Sequence, residues 1–262
     1  MPVLQINNLT KFFGGLRAVH DFNFSIDEGE LVGLIGPNGA GKTTIFNMIS
    51  EVYPPTAGEI EFMGQSIVGL KPHQVAQLGI GRTFQKIRIF KGMSVLDNVR
   101  LAYHPHAGYG VRDAVFHNAL FNEREKKLTE RAQEFLSIFG LEDKQEELCG
   151  SLPYGDQHRV EIARALATEP KLLMLDEPTS GMNPREALEM VDLIKFLRDK
   201  FKLTIFLIEH QMRVVMGVCE RITVIDFGEI IARGKPVEIR NDPKVIEAYL
   251  GERMAKELAA AD

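Results

Sequence analysis

The stretch that decides the fold is Gly36-Pro37-Asn38-Gly39-Ala40-Gly41-Lys42-Thr43, which fits the phosphate-binding pattern G-x-x-x-x-G-K-[ST]. The apolar run at 31–35 precedes it and predicts a buried strand, while the apolar spacing over 44–50 predicts a helix. Strand, glycine-rich loop and helix form the context that the motif requires. A chance glycine-rich turn is the alternative, and the flanking elements argue against it.

The residues of this loop suit a polyphosphate. Glycines let successive backbone N–H groups turn toward one anion, and the N-terminus of the following helix adds partial positive charge. Lys42 can reach the outer phosphates and the Thr43 hydroxyl can ligate Mg²⁺, with Thr44 next to it at the helix start. The sequence therefore predicts that residues 36–44 bind a nucleotide polyphosphate with Mg²⁺.

The composition of the 262 residues is typical of a globular protein, with 45% hydrophobic residues. A net charge of −5 and a pI of about 5.9 argue against a nucleic-acid-binding protein. No apolar run approaches the roughly 20 residues of a membrane helix, and residues 1–7 lack a signal-peptide pattern, so we expect a cytoplasmic protein. Cys149 and Cys219 show no metal-binding spacing and predict two free thiols.

The apolar patterns change along the chain. Alternation before the phosphate loop predicts antiparallel strands, with residues 27–29 closing a hairpin. Residues 94–168 are helical in pattern, most clearly where apolar residues recur at 3.6-residue spacing over 128–139. Further apolar strands that alternate with helices are predicted at 171–176, 203–208 and 221–226. We therefore expect an α/β core with a largely parallel sheet and an inserted helical subdomain.

Two carboxylates, Asp176 and Glu177, end the apolar strand that begins at Leu172. The carboxyl end of a parallel strand lies at the sheet edge where the phosphate loop also lies. Asp176 can hold Mg²⁺ through its water shell, and Glu177 can polarise an attacking water. A solvated Asp-Glu turn is the alternative, which the phosphate loop disfavours.

Two further polar residues are expected at this edge. His210 ends the strand predicted at 203–208, which favours a γ-phosphate sensor over a structural histidine. Gln85 follows a strand predicted at 80–84, where the helical region begins. Its amide can ligate Mg²⁺ or hold the attacking water while the backbone moves.

A second glycine-containing loop, 151–157, opens the helix predicted at 160–166. Such a helix N-terminus is a second phosphate-type site, with a plain helix start as the alternative. One chain has no use for two such sites unless the second faces another molecule.

These motifs together resemble one family over nearly the whole chain. The phosphate loop (Walker A), Gln85, the 151–157 loop, the 172–177 strand (Walker B), residues 180–183 and His210 stand in the order of ABC transporter ATPase subunits. The stretches that resemble the subgroup of branched-chain amino acid importers are 13–19, 82–85, 160–166, 181–184 and 248–251.

The resemblance implies a fold and a domain plan. The fold is an α/β P-loop NTPase core with a mostly parallel sheet, an N-terminal antiparallel β part and an inserted helical subdomain. One ABC ATPase domain would cover 1–251, with its core at 1–85 and 169–240. The helical subdomain would lie at about 86–168, and a C-terminal helical tail at 241–262.

The resemblance also implies ATP hydrolysis with Mg²⁺ between two such subunits arranged head to tail. Each ATP would lie between one P-loop, 36–44, and the partner's signature residues Tyr154, Gly155 and Asp156. Phe13 matches the aromatic residue that stacks on adenine. The residues that catalyse would be Glu177, His210 and Gln85, and those that hold the metal would be Thr43, Gln85 and Asp176.

The implied partners are a second ABC ATPase subunit, identical or a paralogue, and two transmembrane permease subunits, with no nucleic acid. The permeases would dock near Gln85–Gly92, where Ile87, Ile89 and Phe90 are expected to be exposed, and would hold the chain at the cytoplasmic face of the membrane. A partly buried loop is the alternative for this stretch.

Two positions depart from the family pattern. Pro153 stands where a serine would touch the γ-phosphate, and Asn183 stands where an aspartate is usual. Import remains the leading function, with an exporter motor, for example for lipids, and a non-transport ABC ATPase as alternatives. The single ATPase core, the absence of a heptad run and the acidic balance argue against the ABC ATPases that act on ribosomes or DNA.

Overall fold

The computed structural model describes residues 2–104 and 107–250. Met1, Pro105, His106 and residues 251–262 of the expected tail, including Gly251, lie outside the described residues. Within the described ranges the strands are β1 (Leu4–Phe13), β2 (Leu16–Ile26), β3 (Leu31–Ile35), β4 (Ala57–Phe62), β5 (Gln65–Ser66), β6 (Ile80–Arg82), β7 (Leu172–Asp176), β8 (Thr204–Ile208), β9 (Arg221–Asp226) and β10 (Glu229–Gly234). The helices are α1 (Lys42–Ile49), α2 (Pro72–Leu78), α3 (Val95–Tyr103), α4 (Val111–Phe116), α5 (Ala119–Ile138), α6 (Tyr154–Ala167), α7 (Pro184–Phe201), α8 (Met212–Val218), α9 (Pro236–Arg240) and α10 (Pro243–Leu250).

The N-terminal part is an antiparallel sheet in the order β2-β1-β4-β5. β1 and β2 remain paired as far as Phe13 opposite Leu16, so Gly14 and Gly15 form the hairpin turn. The prediction that residues 27–29 close this hairpin is wrong, because they lead from β2 into β3 of the second sheet. Pairing can run to the two glycines because Gly14 adopts a φ of 58°.

The second sheet has the order β10-β9-β3-β8-β7-β6. All of its strands except β10 pair in parallel. β10 adds an antiparallel edge that the sequence pattern did not predict. The carboxyl ends of β3, β7 and β8 therefore lie at one edge of the sheet, which is where α/β proteins bind ligands. The α/β fold predicted from the sequence is confirmed.

Both faces of the second sheet are buried. Along β3, Leu31 and Ile35 pack into the cluster formed with the helices, whereas Val32 and Leu34 pack into the cluster formed with α1 and the antiparallel sheet. A strand buried on both faces needs a continuous apolar run, which is the pattern of residues 31–35. The loop that follows β3 is thus attached to a strand that is buried on both faces.

The region between the two halves of the core is helical, as expected. α3 packs against α5 and α6, and α5 buries Leu128, Ala132 and Leu136 on one face. β6 is shorter than predicted and ends at Arg82 instead of residue 84. The reason is that the Phe84 N–H turns out of the sheet toward the Glu161 carboxylate.

Candidate functional site

The phosphate loop is fixed by close backbone packing on both sides. A Cβ added at Gly36 would lie 2.1 Å from the carbonyl oxygen of Ile225, and one at Gly41 would lie 2.6 Å from the carbonyl oxygen of Ala18. Both glycines also have left-handed φ values, 155° and 105°. Gly39, by contrast, is exposed and faces open space. The loop is therefore packed against the core at Gly36 and Gly41 and is open to solvent at Gly39.

Helix α1 begins at this loop with its first N–H groups available. Gly41 is the N-cap and supplies no side-chain hydrogen bond. The first N–H groups of a helix have no partner within it, so those of Lys42, Thr43 and Thr44 can bind an anion. Pro37, Asn38, Gly39 and Ala40 complete the curve between β3 and α1, and their backbone surrounds the same space.

Lys42 is buried, and its ammonium Nζ donates to the carbonyl oxygens of Gly36 at 2.6 Å and Pro37 at 2.9 Å. Burial lowers the pKa of Lys42, and the nearby carboxylates of Glu177 and Asp176 oppose that shift. The structure thus brings the lysine of the loop together with both carboxylates that end β7.

Asp176 is almost fully buried, and burial raises the pKa of its carboxyl. Its Oδ2 accepts from Nη2 of Arg82 at 3.2 Å, and its backbone N–H donates to Thr83 Oγ1 at 3.1 Å. Its Oδ1 has no hydrogen-bond partner among the described residues. A buried carboxylate oxygen without a partner, near Lys42 and the start of α1, fits the ligand chemistry of Mg²⁺. Arg82 belongs to this site, but the sequence analysis assigned it no role beyond its place in the stretch 82–85, because nothing in the pattern pairs β6 with β7.

Glu177, His210 and Gln85 converge on one carboxylate oxygen. Oε2 of Glu177 lies 3.4 Å from Nδ1 of His210 and 3.4 Å from Nε2 of Gln85. Glu177 itself is buried and has a left-handed φ of 51°, held by its N–H bond to the carbonyl oxygen of Ile208. Left-handed backbone at a non-glycine residue marks a position that the surrounding structure enforces. The three residues expected at this sheet edge are therefore adjacent.

Glu209 is a fully buried carboxylate that the sequence analysis missed. It accepts hydrogen bonds from the N–H and hydroxyl of Thr179 and from the backbone N–H groups of His210 and Gln211. It therefore ties the segment after Glu177 to the segment that carries His210. Its place between a strand and His210 was the available signal.

The 151–157 loop opens α6 without a side-chain cap. Pro153 is the N-cap, so the N–H groups of Tyr154, Gly155 and Asp156 begin the helix. The negative charge of Asp156 is paired, because Lys144 Nζ lies 2.5 Å from its Oδ2. Gly155 is open, and a Cβ there would meet nothing within 4 Å. An uncapped helix start with a paired acid and an open glycine can still accept an anion.

The loop at 180–183 packs on the side of the same helix. A Cβ added at Gly181 would lie 2.9 Å from the Tyr154 ring, and that ring meets His158 edge-on with centroids 4.8 Å apart. Asn183 caps α7, its Oδ1 accepting from the N–H groups of Arg185 and Glu186 at 3.0 Å each. Asparagine and aspartate cap helices about equally well, so this departure from the family pattern keeps the helix start.

Phe13, at the end of β1, is 44% exposed. Its ring meets Tyr53 edge-on at 5.3 Å, and Lys11 Nζ lies 5.3 Å from its centre. An exposed aromatic face of this kind is suited to stacking on a flat base.

A cleft of about 630 Å³ lies between the core and the helices, bordered by the loop that follows Gln85. Of the residues expected to be exposed there, Phe90 is 46% exposed, but Ile87 and Ile89 are half-buried. Ile89 packs against the helical core cluster, so the loop is anchored instead of projecting freely. The partly buried loop is the correct alternative for those two isoleucines.

Glu161 on α6 anchors this loop. Its Oε1 accepts from the N–H groups of Phe84 at 3.3 Å and Arg88 at 2.9 Å. Burial raises the pKa of Glu161 from 4.5 to about 7, with Asp176 adding to the rise and Arg164 and the two N–H groups opposing it.

The raised pKa of Glu161 predicts a pH-dependent stability. Between about pH 4.5 and pH 7 the Glu161 carboxyl is protonated in the folded protein and ionised in the unfolded chain. The free energy of unfolding therefore falls as the pH rises through this range. The loss is ~3 kcal/mol at most. Glu161→Gln keeps the accepting oxygen without the charge and should lose this dependence, as measured by urea unfolding at pH 5.5 and pH 8. Glu134→Gln, at an exposed position, is the control, and equal pH dependence of wild type and Glu161→Gln would contradict the assignment.

Among the described residues, no helix has the length and apolar character needed to cross a membrane. Residues 19–180 match the ABC transporter family, which is more than half of the chain. This chain belongs to the ABC transporter family. Residues 229–255 of this family member also match a family described as branched-chain amino acid ATP-binding cassette transporter.

The similar proteins agree with that assignment. The chain is 44% identical over 251 residues to the high-affinity branched-chain amino acid transport ATP-binding protein LivG of Escherichia coli (strain K12), covering 96% of this chain and 98% of that one. It is 43% identical to BraF of Pseudomonas aeruginosa, described in the same words, with the same coverage. It is 38% identical over 252 residues to the lipopolysaccharide export system ATP-binding protein LptB of Escherichia coli (strain K12), again with 96% and 98% coverage.

Solved structures of ABC transporter cassettes share the fold. One ATP-binding cassette in its ADP conformation superposes with a TM-score of 0.82 at 31% identity, covering 96% of this chain and all of that one. A dimeric cassette in a post-hydrolysis state, bound to ADP and phosphate, superposes with a TM-score of 0.75 at 28% identity, covering 89% and 98%. The P-loop NTPase fold of an ABC ATPase is therefore confirmed.

Proposed function

We propose that this chain is the ATP-binding and ATP-hydrolysing subunit of an ABC importer for branched-chain or similar hydrophobic amino acids. The observation that carries the proposal is the convergence of Lys42, Asp176 and Glu177 with His210 and Gln85 at one sheet edge. The 44% identity to LivG over nearly the full chain supports the solute class. The ABC domain covers 1–251, with its core at 1–85 and 169–240, a helical subdomain at about 86–168 and a tail at 241–262.

The residues divide the work of binding between them. Backbone N–H groups of 36–44 and the Lys42 ammonium bind the phosphates, and Phe13 stacks on adenine. Thr43, Asp176 and Gln85 would hold Mg²⁺. The role of Asp176 as a ligand is supported by its Oδ1, which has no hydrogen-bond partner among the described residues. Bound Mg²⁺ supplies positive charge that stabilises the phosphate oxygens during transfer.

Hydrolysis is assigned to the cluster around Glu177. Its carboxylate accepts the proton of the attacking water while the Gln85 amide, 3.4 Å from Oε2, holds that water in place. His210, also 3.4 Å from that oxygen, contacts the γ-phosphate and orients Glu177. The buried Glu209 carboxylate accepts from the backbone N–H of His210 and so helps to fix the position of His210 beside Glu177.

The open N-terminus of α6 supports a head-to-tail dimer, because its N–H groups can bind the nucleotide held by a partner's P-loop. The similar cassette that was solved as a dimer with ADP and phosphate supports a dimer of ATPase subunits. We place two permease subunits at the cleft beside Gln85–Gly92, which would hold the chain at the cytoplasmic face of the membrane. Nucleic acid is not a proposed partner.

Isolation of the chain from native membranes, followed by mass spectrometry, tests the transport role. Two membrane-spanning subunits and a second ATPase subunit are expected to copurify, with an amino-acid-binding protein encoded or isolated alongside. The alternative is an exporter motor, favoured by the 38% identity to LptB. Copurification with lipid-export components, or with no membrane protein, would contradict the import proposal.

Pro153→Ser should strengthen ATP-dependent dimerisation of the Glu177→Gln protein. Proline has neither hydroxyl nor N–H to donate to a γ-phosphate, so serine adds about one hydrogen bond to a charged group, ~1.5–3 kcal/mol at most. Gly155→Leu should abolish dimerisation, because backbone approach is lost, although a Cβ at this position would meet nothing within 4 Å. Sedimentation with and without MgATP measures both effects.

The matched control is Gly92→Leu, at another glycine whose Cβ would meet nothing within 4 Å. It should dimerise like the parent. A serine variant that dimerises no better, or a leucine at 155 that is tolerated, would overturn the proposed role of the α6 N-terminus.

A further inference from the structure

Arg82 is a buried cation at the end of β6, with its side chain only 6% exposed. Its guanidinium makes two different hydrogen bonds. Nη2 donates to Asp176 Oδ2 at 3.2 Å, and Nη1 donates to Ser50 Oγ at 2.6 Å. Arg82 therefore joins the end of β7, which carries Asp176, to Ser50, which caps the C-terminus of α1.

Two aromatic rings fix the guanidinium in this position. Its carbon Cζ lies 5.6 Å from the centre of the Phe46 ring on α1 and 4.8 Å from the centre of the Phe84 ring. A planar guanidinium stacks on rings and keeps its donors in a fixed fork, which a lysine ammonium does not do. Phe84 begins the loop that borders the cleft, and Arg82 lines the same cleft.

The carboxylate of Asp176 has no other side-chain hydrogen-bond partner among the described residues. Its Oδ2 is held by Arg82, and its Oδ1 is free. The hydroxyl of Thr83, the residue after β6, accepts from the backbone N–H of Asp176. Two consecutive residues, Arg82 and Thr83, thus set the position of Asp176, and the loop starts at the next residue.

We propose that Arg82 is a positioning residue that orients the Asp176 carboxylate toward Mg²⁺. Through the Phe84 ring, Arg82 also connects this carboxylate to the loop that borders the cleft. This rests on the proposed role of Asp176 as a metal ligand. Replacing a residue that hydrogen-bonds to a metal ligand typically lowers metal affinity by about 10–100-fold. A movement of the loop at Phe84 would shift the guanidinium and, with it, the carboxylate.

The first test replaces Arg82 by methionine, which keeps an unbranched apolar stem and removes the guanidinium fork. The probe is Mn²⁺, titrated into the complex of the Glu177→Gln protein with ATP and followed by the EPR signal of free Mn²⁺. Arg82→Met should raise the dissociation constant of Mn²⁺ about tenfold or more. The affinity for ATP in EDTA should stay within about twofold of the parent, because the P-loop contacts are intact.

A purely structural role would lower ATP affinity in EDTA as well, or leave Mn²⁺ affinity unchanged. Arg131→Met is the matched control, since Arg131 lies over the Tyr103 ring at 6.0 Å and pairs with Glu169 instead of Asp176. If Arg82→Met does not fold, Ser50→Ala serves in its place, because it removes the 2.6 Å bond that anchors the guanidinium, together with the bond from the Ser50 hydroxyl to the Phe46 carbonyl oxygen. Its effect on Mn²⁺ should be smaller and in the same direction.

A double-mutant cycle tests the connection to the loop. Phe84→Leu should weaken Mn²⁺ binding in the parent but add little in the Arg82→Met protein, because both changes act through one guanidinium. Phe196 on α7, whose ring faces Lys200, is the control, and Phe196→Leu should leave Mn²⁺ binding unchanged in both. Additive effects of Phe84→Leu and Arg82→Met, or unchanged Mn²⁺ affinity in Arg82→Met, would overturn the proposal.

Asp176→Asn separates this proposal from the one on which it rests. If Asn at 176 leaves Mn²⁺ affinity unchanged, Asp176 is not a metal ligand, and the proposed site is wrong. If Asn weakens Mn²⁺ binding and Arg82→Met does not, only the positioning role of Arg82 is wrong.

Discussion

Glu177→Gln is expected to bind ATP with normal affinity and to hydrolyse it about 10²–10⁴ times more slowly. The amide keeps the shape of the side chain and its contacts with His210 and Gln85, but it cannot accept the proton of the attacking water. Phosphate release at saturating MgATP measures the loss, and equilibrium dialysis measures binding.

The same variant should form a stable dimer with ATP, because the nucleotide that bridges two subunits is not consumed. Glu59→Gln, an exposed carboxylate on β4, is the control and should keep parental turnover. Parental turnover in Glu177→Gln would mean that Glu177 is not the base, and His210, 3.4 Å away, would become the candidate.

Lys42→Ala is expected to abolish ATP binding at this site. Lys42 is the only cation that the P-loop directs at the outer phosphates, and its Nζ already lies against the loop carbonyls of Gly36 and Pro37. Binding of radiolabelled ATP, with and without Mg²⁺, measures the effect.

Two observations keep the Lys42 experiment interpretable. Its thermal unfolding must show a cooperative transition, since the two loop carbonyls lose their donor. Lys126→Ala on α5, where the side chain is 79% exposed, should bind ATP normally. Normal affinity of a folded Lys42→Ala protein would overturn the assignment of the phosphate site.

The parts of the fold that follow from local pattern could be predicted from the sequence. The apolar run before Gly36 is continuous because β3 is buried on both faces, and the 3.6-residue spacing in α5 reflects one buried face. The antiparallel β10 was missed, and the closing of the hairpin was wrongly predicted at 27–29, because strand pairing depends on residues distant in the chain.

The candidate site divides in the same way. Lys42, Asp176 and Glu177 stand in motifs whose chemistry is local, so their spacing alone indicates a nucleotide site. Arg82 and Glu209 act through contacts with other elements, at separations of 94 residues for Arg82 with Asp176 and 30 for Thr179 with Glu209. The periodicity of apolar residues does not predict such long-range contacts, and these side chains meet only in the folded protein.

Transport by the whole complex tests the central claim most directly. The complex copurified with this chain is reconstituted in proteoliposomes loaded with MgATP, with any copurified binding protein and labelled leucine outside. ATP-dependent leucine uptake is expected with the wild-type chain and should be lost with Glu177→Gln. A complex that hydrolyses ATP but accumulates no branched-chain amino acid, or that moves lipid outward instead, would contradict the account.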